Sequence, residues 1–334
     1  MRITALAGGV GGARFLRGLV HHLRAAHPDD RPEIIVIGNT GDDITLFGLR
    51  VCPDLDTILY TLGGGVHEGQ GWGRADESHH VAAELAELGA TPQWFSLGDK
   101  DFATHIFRSQ LLARGMPLSA VTAQLADRWG LAEQGVTLLP MTDTPVETHV
   151  VITEGGDQVA IHFQEWWVRH QAALEADRFV VAGLDSAAAA PGVLEAIRSA
   201  DVVLLPPSNP VVSIGIILGV PGVRDALRGS RAPVVGVSPL VGGRPVRGHA
   251  DVCLRTIGVD TTSEAVAGLY QDFLDGWLVD PDDPMAQPGR TSRLAVVARP
   301  LLMSSVAAAA DIAGAALALA QQLAAATGEA EALP

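Results

Sequence analysis

The chain has 334 residues, of which 48% are hydrophobic and 18% are charged, and its formal net charge is −15. This length supports one large α/β domain or two smaller ones, and the acidic balance argues against a nucleic-acid-binding protein, because neutralising phosphates requires clustered Lys and Arg. Cys52 and Cys253 are too few for a disulfide framework or a cysteine metal cluster, and Asp311 interrupts the Ala-rich C-terminal run. A cytoplasmic protein without a membrane partner is therefore expected.

The first residues predict a strand, a tight turn and a helix. An apolar run over residues 3–7 precedes four glycines in five positions, and apolar residues then recur at helical spacing. Glycines let the backbone approach an anion closely, and the N-terminus of the following helix attracts negative charge. The glycines Gly8, Gly9, Gly11 and Gly12 therefore predict a phosphate-binding loop, with Arg14 as a candidate phosphate partner.

Neither familiar nucleotide-loop pattern is present. Counting from Gly9, Gly11 fits the dinucleotide pattern but Arg14 stands where its last glycine belongs, and no Gly-x-x-x-x-Gly-Lys-Ser/Thr string occurs. The loop is interpreted as a nucleotide or phosphate loop of another kind. A turn whose glycines serve only packing is the alternative.

The second predicted strand covers residues 33–39, and a cluster of carboxylates follows it. Four carboxylates fall within fifteen residues: Asp42, Asp43, Asp54 and Asp56. Ligands of open α/β sheets lie beyond the carboxyl ends of the strands, so this cluster is expected to face the glycine loop. Carboxylate oxygens beside bound phosphates suit Mg²⁺. Taken singly, each carboxylate suits a helix cap or a turn equally well.

Residues 61–135 predict a mainly helical insertion over the crevice, whereas residues 1–60 and 136–334 predict a doubly wound, Rossmann-like, mostly parallel α/β core. Within the insertion, His105 and Arg108 are three residues apart and should share one helix face. Asp101 is a candidate N-cap of the same helix.

The second half of the chain returns to strands and loops. Residues 147–153 and 158–163 predict a hairpin around a turn at 154–157. Ser208 and Asn209 lie in a proline-flanked turn after another buried strand, where they are candidates to hold a base or a phosphate; a rigid turn is the alternative. Three tryptophans suit stacking on a planar ring or filling of the core: Trp94, Trp166 and Trp167.

Seven strings of residues, in order along the first 310 residues or so, carry a family resemblance. They are 7–16 (AGGVGGARFL), 39–43 (NTGDD), 52–57 (CPDLDT), 97–105 (LGDKDFATH), 162–167 (HFQEWW), 207–210 (PSNP) and 238–243 (SPLVGG). Together they resemble the 2-phospho-L-lactate transferase family of coenzyme F420 biosynthesis, and most closely its actinobacterial branch, the phosphoenolpyruvate transferases.

The resemblance implies a Mg²⁺-dependent transfer from a guanylyl-activated three-carbon acid to the deazaflavin Fo, with release of GMP, in a homodimer. Phosphoenolpyruvate, phospholactate and phosphoglycerate remain alternative sources of the three-carbon group. By the same resemblance Asp56 and Ser96 lie near Fo, and Asp42 binds metal. The string Ser213–Ile216 departs from the family's usual Ser-Ile-Gly-Pro, which affects details of phosphate contact.

Residues and resemblance together give the expected site. The residues assigned to substrate are Gly8, Gly9, Gly11, Gly12, Arg14, Asp54, Ser96, His105, Arg108, Trp166, Ser208 and Asn209, those assigned to metal are Asp42, Asp43 and Asp56, and those assigned to catalysis are Asp42 and Asp56. Two other functions compete with this one. A non-catalytic, nucleotide-sugar-binding regulator of the gluconeogenesis-factor type shares the glycine loop, and a nicotinamide oxidoreductase is disfavoured by Arg14.

Overall fold

A computed structural model describes residues 1–26, 33–287 and 294–331. The strands, numbered along the chain, are β1 (Arg2–Ala7), β2 (Glu33–Gly38), β3 (Ile44–Leu46), β4 (Leu49–Val51), β5 (Val136–Pro140), β6 (Glu147–Glu154), β7 (Asp157–His162), β8 (Arg178–Ala182), β9 (Val202–Leu205), β10 (Val234–Val237), β11 (Leu240–Val241), β12 (Arg244–Pro245), β13 (Gly276–Val279) and β14 (Ala295–Ala298). The α-helices are α1 (Gly9–Ala26), α2 (Pro53–Leu62), α3 (His80–Glu87), α4 (Asp99–Ala113), α5 (Leu118–Arg128), α6 (Val193–Arg198), α7 (Ile214–Gly219), α8 (Val223–Arg228), α9 (Ala250–Thr256), α10 (Ser263–Gly268) and α11 (Val306–Glu331).

Seven parallel strands form the central sheet, in the spatial order β14-β13-β10-β9-β1-β2-β5. The chain builds β1, β2 and β5 outward in one direction, then returns to β9 beside β1 and continues in the other direction. The order therefore reverses between β1 and β9, which is where open α/β sheets bind ligands. The predicted doubly wound α/β fold is confirmed.

Both faces of the sheet are covered, which explains why the strands read as continuous apolar runs. On one face, Ile3 and Ala5 of β1 pack with α1, α2, α5 and α11. On the other face, Leu6 packs with α6 to α10 and with residues of β6. The alternation along β1 thus divides the core into two layers.

An alanine face holds the last helix against the first. Four of the buried alanines of α11 recur four, three and four residues apart: Ala309, Ala313, Ala316 and Ala320. A Cβ at Gly18 of α1 would lie 2.6 Å from the Cβ of Ala309, and one at Gly314 would lie 2.8 Å from Nδ1 of His22. The two helix backbones therefore approach each other closely because both carry small residues at the contact.

Within the described residues, one stretch, Val306–Ala326 of α11, has the length and mean hydropathy (1.4) of a membrane span. In this structure 44% of the stretch is buried. The buried part of the stretch packs on α1, since Ala313, Ala316 and Ala320 belong to the same core as Leu16 and Leu19 of α1.

Gly18→Ala is expected to lower the free energy of unfolding by about 2 kcal/mol, because overpacking of up to about 3 kcal/mol against the backbone of Ala309 exceeds a helix-propensity gain of about 1 kcal/mol. Gly268→Ala is the matched control, since nothing lies within 4 Å of a Cβ at that helical glycine. Denaturant unfolding of both variants checks the difference. An equal or higher stability of Gly18→Ala would show that α1 and α11 can move apart at little cost.

The segment over residues 61–135 holds α3, α4 and α5. α5 contributes Val121 and Leu125 to the core shared with α1, whereas Phe102 of α4 and Leu97 pack on the small hairpin β3–β4. Elsewhere, β6 and β7 form the predicted antiparallel hairpin, and β8 adds a third strand beside β6.

Candidate active site

A cavity of about 620 Å³ opens where the strand order reverses. Its wall combines the loops after β1 and β9, the first turns of α2 and α4, and the segment between β10 and α9. The lining residues from the predicted site are Gly8, Gly9, Gly11, Arg14, Asp42, Asp54, Asp56, His105, Ser208 and Asn209. Chain segments far apart in sequence are thus brought to one crevice.

The glycine loop is in tight contact with the loop after β9. The backbone N–H of Gly8 donates a hydrogen bond to Oγ of Ser208 at 3.1 Å. A Cβ at Gly11 would overlap the carbonyl oxygen of Pro207, and one at Gly12 would lie 2.7 Å from Oγ of Ser208. The glycines therefore serve packing as well as the cavity wall, and Gly12 contributes only to packing.

Two arginines stand on this wall among the described lining residues, Arg14 and Arg247. Burial, and then the neighbouring Arg247 and Arg17, lower the pKa of the Arg14 guanidinium from its usual value. Arg247 donates to the carbonyl oxygens of Gly69, at 2.9 Å, and Gln70. This side of the cavity is suited to an anionic ligand, which would relieve the repulsion between the guanidinium groups.

A pair of buried carboxylates, Asp42 and Asp54, faces the glycine loop. Nδ2 of Asn39 donates to both, at 3.4 Å to Asp42 Oδ1 and 2.9 Å to Asp54 Oδ2. Nε2 of Gln164 donates to Oδ2 of Asp42 at 3.0 Å, and Oγ of Ser213 donates to Oδ2 of Asp54 at 3.4 Å. Amide and hydroxyl donors therefore fix both carboxylates in the crevice.

The pair is electrostatically unfavourable when both members are ionised. Burial, and next the charge of Asp54, raise the pKa of Asp42 well above its usual value. Burial raises the pKa of Asp54 to about 6. Mg²⁺ is commonly held by one or two carboxylates together with substrate phosphates and waters, so Asp42 and Asp54 fit this ion.

The predicted metal set of Asp42, Asp43 and Asp56 is not brought together. Asp43 lies behind the cavity wall with its Oδ2 3.4 Å from Nε of Arg50, and burial raises its pKa to about 7. Both oxygens of Asp56 accept hydrogen bonds from Arg108. Among the described residues no three His, Cys, Asp or Glu side chains are grouped as a metal site. The cause is the half-buried Arg50 and the buried Arg108, which pair with Asp43 and Asp56. Among the described residues, Asp42 and Asp54 have no ion-pair partner.

His105 and Arg108 share a face of α4, as predicted, and both contact Asp56. Arg108 is fully buried behind Asp56 and does not line the cavity, so its predicted contact with substrate is replaced by a contact with Asp56. His105 does line the cavity. Burial lowers its pKa to about 4, against the attraction of Asp56, so its ring is neutral at physiological pH.

Two further predicted residues lie outside the wall. Trp166 is fully buried, and its Nε1 donates to the carbonyl oxygen of Leu174 at 2.8 Å. Its neighbour Trp167 lines the cavity instead. Ser96 is exposed outside the cavity, between Phe95 and Leu97, which do line it.

The structure adds a carboxylate that the sequence analysis interpreted differently. The N-cap of α4 is Gly98, not Asp101, and Asp99 accepts backbone N–H bonds from His80 and Val81 at the start of α3. Asp101 lines the cavity, and burial, followed by the charge of Asp56, raises its pKa to about 6. Asp101 precedes His105 by four residues, a spacing that places both side chains on one face of a helix. This spacing could have identified Asp101 as a residue of the site.

Binding of Mg²⁺ is expected to raise the melting temperature far more at about pH 8 than at about pH 5. The folded protein holds the Asp54 proton more tightly than the unfolded chain, since its pKa is about 6 rather than about 3.9. This contribution to the free energy of unfolding is present below about pH 4 and is lost as pH rises through about 6. Above that pH both carboxylates are ionised, so a bound cation stabilises the folded protein most there. Thermal unfolding with and without Mg²⁺ at both pH values checks it. An equal Mg²⁺ effect at both, or its persistence in Asp54→Asn, would contradict the assignment.

Comparisons with known proteins agree over nearly the whole chain. Residues 3–299 match the family model described as 2-phospho-L-lactate transferase CofD. A protein named phosphoenolpyruvate transferase from Thermobifida fusca (strain YX) is 61% identical over 327 residues, which cover 97% of this chain and 99% of that protein. Its namesakes from Kitasatospora aureofaciens and Mycobacterium marinum (strain ATCC BAA-535 / M) are 59% and 52% identical, over 97% and 96% of this chain and 99% of each relative.

Two solved structures share the fold at low sequence identity. Both are of a Bacillus halodurans protein, which one of them describes as a member of the UPF0052 family. Their TM-scores are 0.55 and 0.58 at 17% identity, with 95% of this chain and 99% and 98% of those chains covered. At this identity the likeness concerns the fold alone.

Proposed function

We infer that this chain, which belongs to the 2-phospho-L-lactate transferase CofD family, is a transferase of coenzyme F420 biosynthesis that moves a phosphoenolpyruvyl group from a guanylyl-activated donor to the deazaflavin Fo. The ribityl hydroxyl oxygen of Fo bonds to the phosphorus that carries the three-carbon acid, and the bond from that phosphorus to the bridging oxygen breaks, so that GMP leaves. The proton of the hydroxyl passes to a carboxylate at the cavity wall, for which Asp56 is the candidate. The names of the relatives favour phosphoenolpyruvate over phospholactate. The carboxylate pair facing the glycine loop is the observation that carries this proposal.

The donor diphosphate belongs beside the glycine loop and its two arginines. Arg14 and Arg247 supply positive charge on this wall, and the first turn of α1 supplies backbone N–H groups. Ser208 and Asn209 follow the neighbouring strand, where the Oδ1 of Asn209 accepts from the backbone N–H of Val211 at 2.9 Å and fixes the turn. These groups bind and orient the donor across the reversal of strand order.

Asp42 and Asp54 would hold Mg²⁺. Bound there, the ion would neutralise diphosphate oxygens and the charge that develops on the leaving GMP. The chain's own contribution is to orient the two carboxylates, through Asn39, Gln164 and Ser213. Phosphoryl transfer of this kind needs positioning and charge stabilisation more than a covalent nucleophile.

The acceptor belongs on the opposite wall, which α2 and α4 supply. Phe95 and Leu97 give this side apolar and aromatic surface for a planar ring. Asp56 also lines the cavity and is held in place by Arg108. Its carboxylate oxygens accept hydrogen bonds, so it can orient the attacking hydroxyl of a polyol chain toward the donor.

Isothermal titration with Fo, and separately with GDP plus Mg²⁺, tests the proposal on the wild type and on Asp56→Ala. We expect the wild type to bind both ligands and the variant to keep GDP but lose most of its affinity for Fo. Asp185→Ala, at an exposed carboxylate, is the matched control. Binding of GDP without Fo would favour the regulator of the gluconeogenesis-factor type and overturn the transferase assignment.

A further inference from the structure

His105 sits between a buried cation and a carboxylate at the cavity wall. Nη1 of Arg108 lies 3.2 Å from Nδ1 of His105, 3.1 Å from Oδ2 of Asp56 and 3.3 Å from the carbonyl oxygen of Arg50, so its two hydrogens are shared among three acceptors. Nδ1 of His105 is itself 3.7 Å from Oδ2 of Asp56, beyond hydrogen-bond distance. The ring nitrogen Nδ1 therefore has one partner within hydrogen-bond distance among the described residues, and that partner is an arginine.

An arginine side chain has five donors and no acceptor, so it can only donate to Nδ1. A ring nitrogen that accepts a hydrogen bond carries no proton, and in the neutral imidazole the proton is then on the other nitrogen. Arg108 thus fixes the tautomer of His105 with its hydrogen on Nε2. A ring held this way donates at one end and cannot take a second proton at Nδ1 without displacing Arg108.

The donor end is the part of the ring available to a ligand. Arg108 is fully buried, so Nδ1 is directed into the protein, whereas His105 as a whole lines the cavity. Nε2 makes no hydrogen bond within the part of the chain that the structure describes. The His105 side chain is 3% exposed and lines the cavity, so a hydrogen on Nε2 calls for an acceptor on the ligand.

Asp56 presents the complementary function beside it. Its carboxylate oxygens accept, while Nε2–H of His105 donates, and both side chains line the same cavity. One acceptor next to one donor matches two neighbouring hydroxyls, of which one donates and the other accepts. This is the arrangement of a vicinal diol in a polyol chain.

We propose that His105 donates a hydrogen bond to a hydroxyl oxygen of the acceptor's ribityl chain, next to the hydroxyl that Asp56 binds. In this role His105 does not act as a proton acceptor. The proposal rests on the function proposed above, since Fo supplies the polyol chain. Arg108 acts through His105 and Asp56 as a positioning residue. His105 thereby contributes to selection of a polyol-bearing acceptor over one with an unsubstituted chain.

Two substitutions distinguish a His105 that donates a hydrogen bond from a His105 that acts as a general base. His105→Gln keeps an N–H donor at a similar reach, whereas His105→Phe keeps only the ring shape. We expect His105→Phe to raise KM and Kd for Fo by about 10-fold to 100-fold, and His105→Gln by less than about 5-fold, with GDP binding unchanged in both. Unchanged Fo affinity in His105→Phe would overturn the proposal, as would an equal loss of kcat in both variants at constant KM.

The tautomer of His105 can also be measured by spectroscopy in the absence of any ligand. Nitrogen-15 NMR of the histidine rings is expected to show His105 with an unprotonated Nδ1 and a protonated Nε2. The opposite tautomer, or a doubly protonated ring, would overturn the proposal even if Fo binds. Failure of the wild type to bind Fo would overturn the proposed function and the diol assignment, while the NMR result would still report the tautomer.

Discussion

Asp42→Asn is expected to reduce turnover by at least about 100-fold while leaving the melting temperature unchanged or higher. Asp42 and Asp54 are buried side by side, and the charge of Asp54 is the second largest cause, after burial, of the raised pKa of Asp42. Removing one charge relieves this repulsion but leaves too little negative charge to hold a divalent ion. Steady-state kinetics and thermal unfolding of the same preparation check both halves of the expectation.

The control for this pair is Asp185→Asn, at an exposed carboxylate remote from the cavity wall. It should change neither quantity. Near-normal turnover of Asp42→Asn would remove this residue from the mechanism. A large fall in its melting temperature would instead show that the hydrogen bonds from Asn39 and Gln164, at 3.4 and 3.0 Å, require a charged acceptor.

Arg108→Met is expected to lower the free energy of unfolding by about 3 to 5 kcal/mol, and the melting temperature by about 5 °C, because Asp56 would be left as a buried charge without its partner. Arg108 also donates to the carbonyl oxygen of Arg50 at 3.3 Å, so one side chain connects α4, α2 and β4. Chemical and thermal unfolding give the magnitude.

A double variant distinguishes a lost ion pair from lost packing. Asp56→Leu combined with Arg108→Met should recover most of the stability, because an apolar pair replaces a buried ion pair at little cost, but it should stay inactive. Arg228→Met, in an exposed ion pair with Asp272, should have little effect on the melting temperature. If Arg108→Met were as stable as the wild type, the Asp56 pair would be solvated rather than buried.

Local patterns in the sequence were sufficient for the elements that carry the site. The strand, glycine loop and helix at the N-terminus, the hairpin of β6 and β7, and the shared helix face of His105 and Arg108 all follow from short-range periodicity. These features depend on neighbours within a few residues.

Local patterns could not predict which carboxylates of the acidic cluster pair with arginines and which remain available to a cation. Arg50 comes from β4 and Arg108 from α4, 52 residues beyond Asp56, and nothing local says that they pair with Asp43 and Asp56. Burial then decides which carboxylates stay available to a cation. Long-range pairing, rather than residue type or spacing, therefore separates Asp42 and Asp54 from their neighbours.

Long-range packing also decides which of two adjacent tryptophans is buried and which lines the cavity. Trp166 and Trp167 lie in a π-helical turn, Glu165–Arg169, whose side-chain directions are not those of an ordinary helix. Trp166 packs edge-on against Phe179 of β8, with ring centroids 5.8 Å apart, and Trp167 is left for the cavity. Only the third strand of that small sheet, which the sequence analysis did not predict, determines which ring is buried.

The contact between α1 and α11 has a consequence for synthesis of the chain. The helix that carries the glycine loop leaves the ribosome before the alanine face that covers it, because α1 precedes α11 by most of the residues of the sequence. Throughout translation, Phe15, Leu16 and Leu19 on α1 lack part of their final cover. The helix that follows the glycine loop therefore cannot reach its final packing until α11 has been synthesised. A chain that stops before α11 is expected to aggregate rather than to give a shorter enzyme.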